Sequence, residues 1–172
     1  MNPEPEQGGS LGFRMVRVLM VCLGNICRSP AAEGVLATHL EREGLTEAVE
    51  VDSAGTAAYH VGERADGRMR AAAKRRGYDL TSIARAVSGD DFNRFDLILA
   101  MDRENLANLK RYSGRADVRL LGDFVPGDAV PDVPDPYYGG DDGFEQVLDL
   151  LESAMPALLD DLNAWVAAKE RA

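Results

Sequence analysis

Residues 16–30 read V-R-V-L-M-V-C-L-G-N-I-C-R-S-P, and few architectures accommodate that order of residue types. An apolar, β-branched run from Val16 to Val21 stops at Cys22. Gly24 and Asn25 then offer a turn, and Arg28 and Ser29-Pro30 open a helical pattern. A run that is apolar almost throughout is the mark of a strand covered on both faces. Strand, tight loop and helix N-terminus therefore follow one another directly, with a thiol first in the loop and a guanidinium last. Such a loop presents backbone N–H groups to an anion, and a cysteine held in it ionises more readily than a free thiol. The expectation is a thiolate nucleophile beneath a bound oxyanion.

The remaining chain alternates in the same sense. Ser29 is expected to cap the first helix with Pro30 at its first position; Val35, Leu36 and Leu40 give it an apolar stripe and Gly44 ends it. Residues 49–52 form a second short strand running into the small-residue turn Ser53-Ala54-Gly55-Thr56. Residues 62–77 read as a strongly basic helix closed by Gly77, either ordinary surface charge or a surface for acidic peptides. A third strand covers 95–100, Asp102 caps a short helix carrying Leu106 and Leu109, and a fourth strand covers 118–121. Residues 122–143 are loop by composition, with four prolines, five glycines and repeated aspartates. The last element, 144–166, spaces Phe144, Val147, Leu148, Leu151, Met155, Leu158, Leu162 and Trp165 as the buried stripe of a helix that Pro156 is expected to kink. Strands alternating with helices imply a parallel sheet covered on both faces, with ligands at the carboxyl ends of the strands. Cys22 lies at such an end.

Composition narrows the function. A chain of 172 residues with 45% hydrophobic content fills one domain, expected over 15–172 behind a disordered tail at 1–14. The tail lacks the basic-then-apolar order of a signal peptide, and no stretch approaches the roughly 20 apolar residues of a membrane span. The two cysteines, Cys22 and Cys27, share one loop, which fits reduced thiols in the cytoplasm rather than a disulfide framework. His39 and His60 sit in separate segments without ligand spacing, so no metal site is expected. The net charge of −10 arises entirely after Arg115, which argues against nucleic acid and reads as a solvated acidic face. An anionic substrate must be held by local donors.

Those donors are in the loop. Five residues separate Cys22 from Arg28, so one turn of chain can curl around a tetrahedral dianion. Backbone N–H groups from Leu23 through Gly24, Asn25, Ile26 and Cys27 to Arg28 can face its oxygens, and the guanidinium can grip two of them. The same donors stabilise a phosphoryl group in transfer. Gly24 and Asn25 accept a left-handed conformation, Asn25 can brace neighbouring segments, and Ser29 Oγ can donate to the Cys22 sulfur and improve it as a leaving group.

Cys22-Leu23-Gly24-Asn25-Ile26-Cys27-Arg28-Ser29-Pro30 resembles the phosphate loop of the low-molecular-weight protein tyrosine phosphatases. Ser53-Ala54-Gly55-Thr56, Ala100-Met101-Asp102 and Asp135-Pro136-Tyr137-Tyr138-Gly139 are similar to that family's further motifs, in the same order. The resemblance covers about residues 15–166. It implies a single three-layer α/β domain of flavodoxin-like, Rossmann-like type, with a four-stranded parallel sheet in the order 2-1-3-4. It implies hydrolysis of phosphotyrosine and aryl phosphate monoesters through a phosphocysteine without any cofactor. Phosphotyrosine proteins would be substrates, a tyrosine kinase among them, and phosphate, sulfate or vanadate would bind.

By position, Cys22 would be the nucleophile, Arg28 the transition-state binder and Asp135 the general acid and then base; composition alone does not choose Asp135 among the loop's aspartates. Leu23 and Tyr59 would wall one side of an aromatic cleft and Tyr137 and Tyr138 the other, while Ser53 would hold Asn25. Cys27 would be a disulfide partner for Cys22 or simply a small residue in the loop wall. Two departures stand out: Ser82 occupies the place of a family histidine, leaving the Asn25 brace to be rebuilt, and Tyr59 stands where many members have tryptophan.

Two other readings compete. Thioredoxin-coupled arsenate reductases share the fold and the loop but relay electrons through further cysteines, and this chain has none outside the loop. A non-catalytic phosphotyrosine-binding module would keep the cradle without nucleophile or acid, whereas Cys22, Arg28 and Asp135 are all present.

Overall fold

The computed structural model describes residues 15–171, so the expected tail at 1–14 lies outside the described residues. β1 (Val16–Cys22) runs between β2 (Val49–Gly55) and β3 (Leu97–Ala100), and β4 (Asp117–Leu120) flanks β3. All pairings are parallel and the order is β2-β1-β3-β4, as expected. β1 alternates between the sheet's faces. Val16, Val18, Met20 and Cys22 join one core layer, whereas Leu19 and Val21 join the other. Both layers are apolar, hence the nearly continuous hydrophobic run in the sequence.

Helices α1 (Arg28–Arg42) and α2 (Gly67–Arg75) and the long C-terminal helix supply the first layer. A four-residue helix, α3 (Asp91–Arg94), and α4 (Arg103–Leu109) border the second, where Phe92, Phe95 and Leu109 are buried. α5 (Asp141–Arg171) is longer at both ends than the apolar stripe at 144–166. It runs on through Pro156, which sits on the exposed side, where the carbonyl left unpaired by the ring can face water. The expected basic helix at 62–77 is shorter, and Arg68, Arg75 and Arg76 among its cations are paired with carboxylates. Asp66 caps α2 and pairs with Arg68, while Arg75 and Arg76 pair with Glu145, and Arg76 also with Asp149 and Glu152 of α5. Part of the C-terminal negative charge thus neutralises α2, so these arginines are not free for acidic peptides.

The register brings the site together. Cys22 pairs with Gly55, and Val21 with Ala100, so β1, β2 and β3 end at one edge of the sheet. β1 lies between strands reached by crossovers in opposite directions, and the crevice at that switch point is where such sheets bind ligands. Gly55 has a steric duty there: a Cβ added to it would come within 2.7 Å of the Leu23 carbonyl oxygen.

Candidate active site

The loop from Cys22 into α1 is tightly braced. Asn25 has φ of 58°, the only non-glycine residue with positive φ among the described residues, and asparagine tolerates that region better than most side chains. Its Nδ2 donates to Ser29 Oγ at 2.8 Å and to Ser53 Oγ at 3.0 Å, and its Oδ1 accepts from the Arg85 backbone N–H at 2.9 Å. Ser53 Oγ in turn donates to Glu33 at 2.6 Å. Burial pushes the Glu33 carboxyl up, and the hydroxyls of Ser53 and Ser82 draw it part of the way back. Ser82 therefore meets the network through Glu33, and the Arg85 main chain completes the Asn25 brace. Asn25→Ala removes these bonds and leaves alanine in a left-handed conformation. It is expected to cost about 1–3 kcal/mol of stability in denaturant titration and about 10- to 100-fold in aryl phosphate kcat/KM.

Ser29 departs from the expected cap. α1 begins at Arg28 with no side-chain cap, so Ser29 lies inside the first turn. Its Oγ stands 3.1 Å from Cys22 Sγ, and its backbone N–H donates to that sulfur at 3.4 Å. Because Ser29 Oγ accepts from Asn25, its own proton is left for the sulfur or for the Ala54 carbonyl at 3.4 Å. The backbone N–H groups of Gly24, Asn25, Ile26, Cys27 and Arg28 donate to no protein acceptor among the described residues. Consecutive unpaired donors at a helix N-terminus form an anion site.

Arg28 is buried, with 3% of its side chain exposed. Its Nη1 donates to Asp102 at 2.7 Å and to the Val133 carbonyl at 3.1 Å, while Nη2 lies 3.5 Å from Asp135 Oδ2. Burial opposes its charge most strongly, but Cys22, Asp102 and Asp135 outweigh that and hold the guanidinium more firmly protonated than usual. Nε and Nη2 make no hydrogen bond among the described residues, which leaves the fork for an oxyanion. From the sequence Asp102 reads as a helix cap and as part of the motif Ala100-Met101-Asp102, with no role at the site. It caps α4 through a capping box and also orients Arg28, a second role visible only once β3 is placed beside β1.

Asp135 arrives from the long loop. Oδ1 accepts from the Tyr137 N–H at 3.1 Å, so the carboxylate faces the cleft from a fixed turn. Arg68 supports that turn from α2, donating to the Tyr137 carbonyl at 3.0 Å and lying over the Tyr137 ring. Cys22, Leu23, Gly24, Ile26, Cys27, Arg28, Tyr59, Asp135, Tyr137 and Tyr138 line one cleft. The bracing residues Asn25, Ser29 and Ser53 lie buried behind it. Tyr137 and Tyr138 meet edge to face at 4.9 Å. Burial, then Asp66, Cys22 and Asp135, push the Cys27 thiol up, so it stays protonated in the loop wall. His60 also lines the cleft, 6.1 Å from the Tyr137 ring, and no motif had marked it.

The sequence profile described as low molecular weight phosphotyrosine protein phosphatase matches residues 17–168. The chain belongs to that family. The low-molecular-weight phosphatase of Streptomyces coelicolor is 47% identical over 159 residues, spanning 89% of this chain and 97% of that one. The human low-molecular-weight phosphatase is 42% identical over 135 residues, spanning 76% and 85%. Among solved structures, a protein tyrosine phosphatase from Entamoeba histolytica superposes with a TM-score of 0.83 at 45% identity, covering 87% of this chain and 97% of that chain. A Drosophila arginine phosphatase superposes with a TM-score of 0.79 at 31% identity, covering 84% and 96%. Two of the four motifs line the cleft, and the other two support it from behind through Ser53 on Asn25 and Asp102 on Arg28. No helix among the described residues is long and apolar enough to cross a membrane.

Proposed function

We propose that the chain is a protein tyrosine phosphatase that hydrolyses phosphotyrosine and aryl phosphate monoesters through a phosphocysteine. The observation that carries this reading is the convergence of Cys22 Sγ, the unpaired N–H groups of residues 24–28, the Arg28 fork and Asp135 on one cleft. Cys22 Sγ attacks phosphorus opposite the phenolic oxygen. The P–O bond breaks as Asp135 donates a proton to that oxygen, and phenol leaves. Asp135, now a carboxylate, takes a proton from water as its oxygen attacks the phosphocysteine. The S–P bond breaks, phosphate departs, and Ser29 Oγ supports the returning thiolate. Arg28 and the loop N–H groups stabilise the equatorial oxygens in both halves.

The cleft walls favour an aromatic ester. Leu23, Ile26, Tyr59 and Tyr137 suit a phenyl ring, whereas a phosphoarginine guanidinium calls for carboxylates. Asp135 is the one carboxylate lining the cleft among the described residues, and it already faces Arg28. Phosphotyrosine proteins, including a tyrosine kinase, are the proposed partners. The two free cysteines favour a reducing, cytoplasmic setting.

Leaving-group dependence tests the acid. Asp135→Asn is expected to lower kcat about 10²- to 10⁴-fold for phenols of high pKa and far less for p-nitrophenol, which leaves without a proton. Equal losses across a series of aryl phosphates would remove Asp135 from the role.

A further inference from the structure

A second groove adjoins the catalytic cleft and shares two of its walls. Leu23 and Tyr59 line both, and the groove continues over Thr56, Ala57 and Val87 to Asn108, Arg111 and Tyr112 at the end of α4. Its volume of about 470 Å³ is nearly four times the 120 Å³ of the cleft. A phosphotyrosine side chain accounts for the cleft and leaves the groove unexplained. We infer that the groove receives the residues flanking the phosphotyrosine in a polypeptide substrate, with a flanking Asp or Glu carboxylate held by Arg111. The inference rests on the phosphatase reading and extends it to substrate choice.

Three observations support that occupant. The groove opens directly onto the site, so a peptide whose phosphotyrosine reaches Cys22 must leave across one of the cleft's edges, and Leu23 and Tyr59 are at this one. Its walls carry exposed apolar and aromatic side chains beside polar ones: Leu23 is 39% exposed, Tyr59 73% and Tyr112 41%. Tyr112 is held flat against Phe92, with ring centroids 4.6 Å apart and planes 11° from parallel, so it offers a fixed platform. Its charge has one sign. Arg111 is the one charged side chain lining the groove among the described residues, and it makes neither ion pair nor hydrogen bond with any of them. In a chain of net charge −10 whose arginines largely pair with carboxylates, a lone cation beside an aromatic platform is matched by an acidic side chain.

The test is a set of phosphotyrosine peptides carrying Glu, Ala or Lys in turn at each position flanking the phosphotyrosine. They are assayed against wild type, Arg111→Ala and Arg111→Glu, with p-nitrophenyl phosphate alongside. Wild type is expected to favour Glu over Lys at one or two neighbouring positions by about five- to tenfold in kcat/KM, mainly through KM, and less so at high salt. Arg111→Ala should erase the preference and Arg111→Glu reverse it, while p-nitrophenyl phosphate kinetics stay unchanged in both. Peptide turnover without any preference for Glu in wild type, or a preference that survives Arg111→Ala, would overturn the groove assignment and leave the phosphatase reading standing. Absence of turnover with every substrate would overturn both.

Discussion

Cys22→Ser is expected to lower aryl phosphate turnover by at least about 10⁴-fold while leaving the affinity for inorganic phosphate within a few-fold of wild type. The first half follows from chemistry. A serine hydroxyl in this loop has neither the ionisation nor the nucleophilicity of a thiol, and loss of a nucleophile removes the covalent route altogether. The second half follows from the loop's construction. The N–H groups of residues 24–28 and the Arg28 fork hold the anion, and neither depends on the identity of the atom beneath it. Rapid quenching of wild type with an aryl phosphate, followed by intact-mass measurement, should reveal a phosphoryl adduct that the variant lacks. Near-normal turnover by Cys22→Ser would eliminate the phosphocysteine mechanism.

Arg28→Lys is expected to fail differently, with kcat reduced about 10³-fold or more and phosphate affinity lost as well. Lysine keeps the positive charge but not the fork. Arg28 places Nη1 on Asp102 and Val133 while presenting its other edge to the substrate, and one ammonium cannot serve both sides. Cationic contacts of this kind to a phosphoryl group in transfer carry roughly 10³- to 10⁵-fold in rate. Steady-state kinetics with phosphate titration by calorimetry separates the two variants: the serine variant binds without reacting, and the lysine variant does neither well. Tight phosphate binding by Arg28→Lys would show that the backbone cradle alone suffices.

What the sequence made legible was local. Strand, loop and helix around Cys22 follow from an apolar run, turn residues and C-x5-R spacing, because those interactions act within one short stretch. Of the two tasks read for Ser29, the hydroxyl does reach the Cys22 sulfur, but it does not cap the helix. A serine before a helical pattern normally caps it, but here the helix starts one residue earlier and the hydroxyl turns to a sulfur seven residues back. Asp102 and Glu33 were illegible as site residues because their partners, Arg28 and Ser53, become neighbours only when the sheet forms. The short helix α3 escaped because four residues hold too little periodicity. Its Asp91 matters as a buried partner of Arg85, which also binds Asp52 and whose main chain reaches Asn25. Asp135 required the resemblance, since nothing local distinguishes it from the other acids of its loop.

The hydrogen bond from Arg28 to the Val133 carbonyl has a consequence for biosynthesis. The thiol and the arginine emerge from the ribosome early, but the acceptor that positions the arginine, the carboxylate that shares its charge and the helix that closes the core beneath β1 are made last. A nascent chain ending before residue 133 already contains Asp102 and the residues that brace the loop, but lacks the Val133 carbonyl, Asp135 and α5. The last contacts to Arg28 and the packing of α5 against the β1 layer therefore become available only once residues 133–171 have been made.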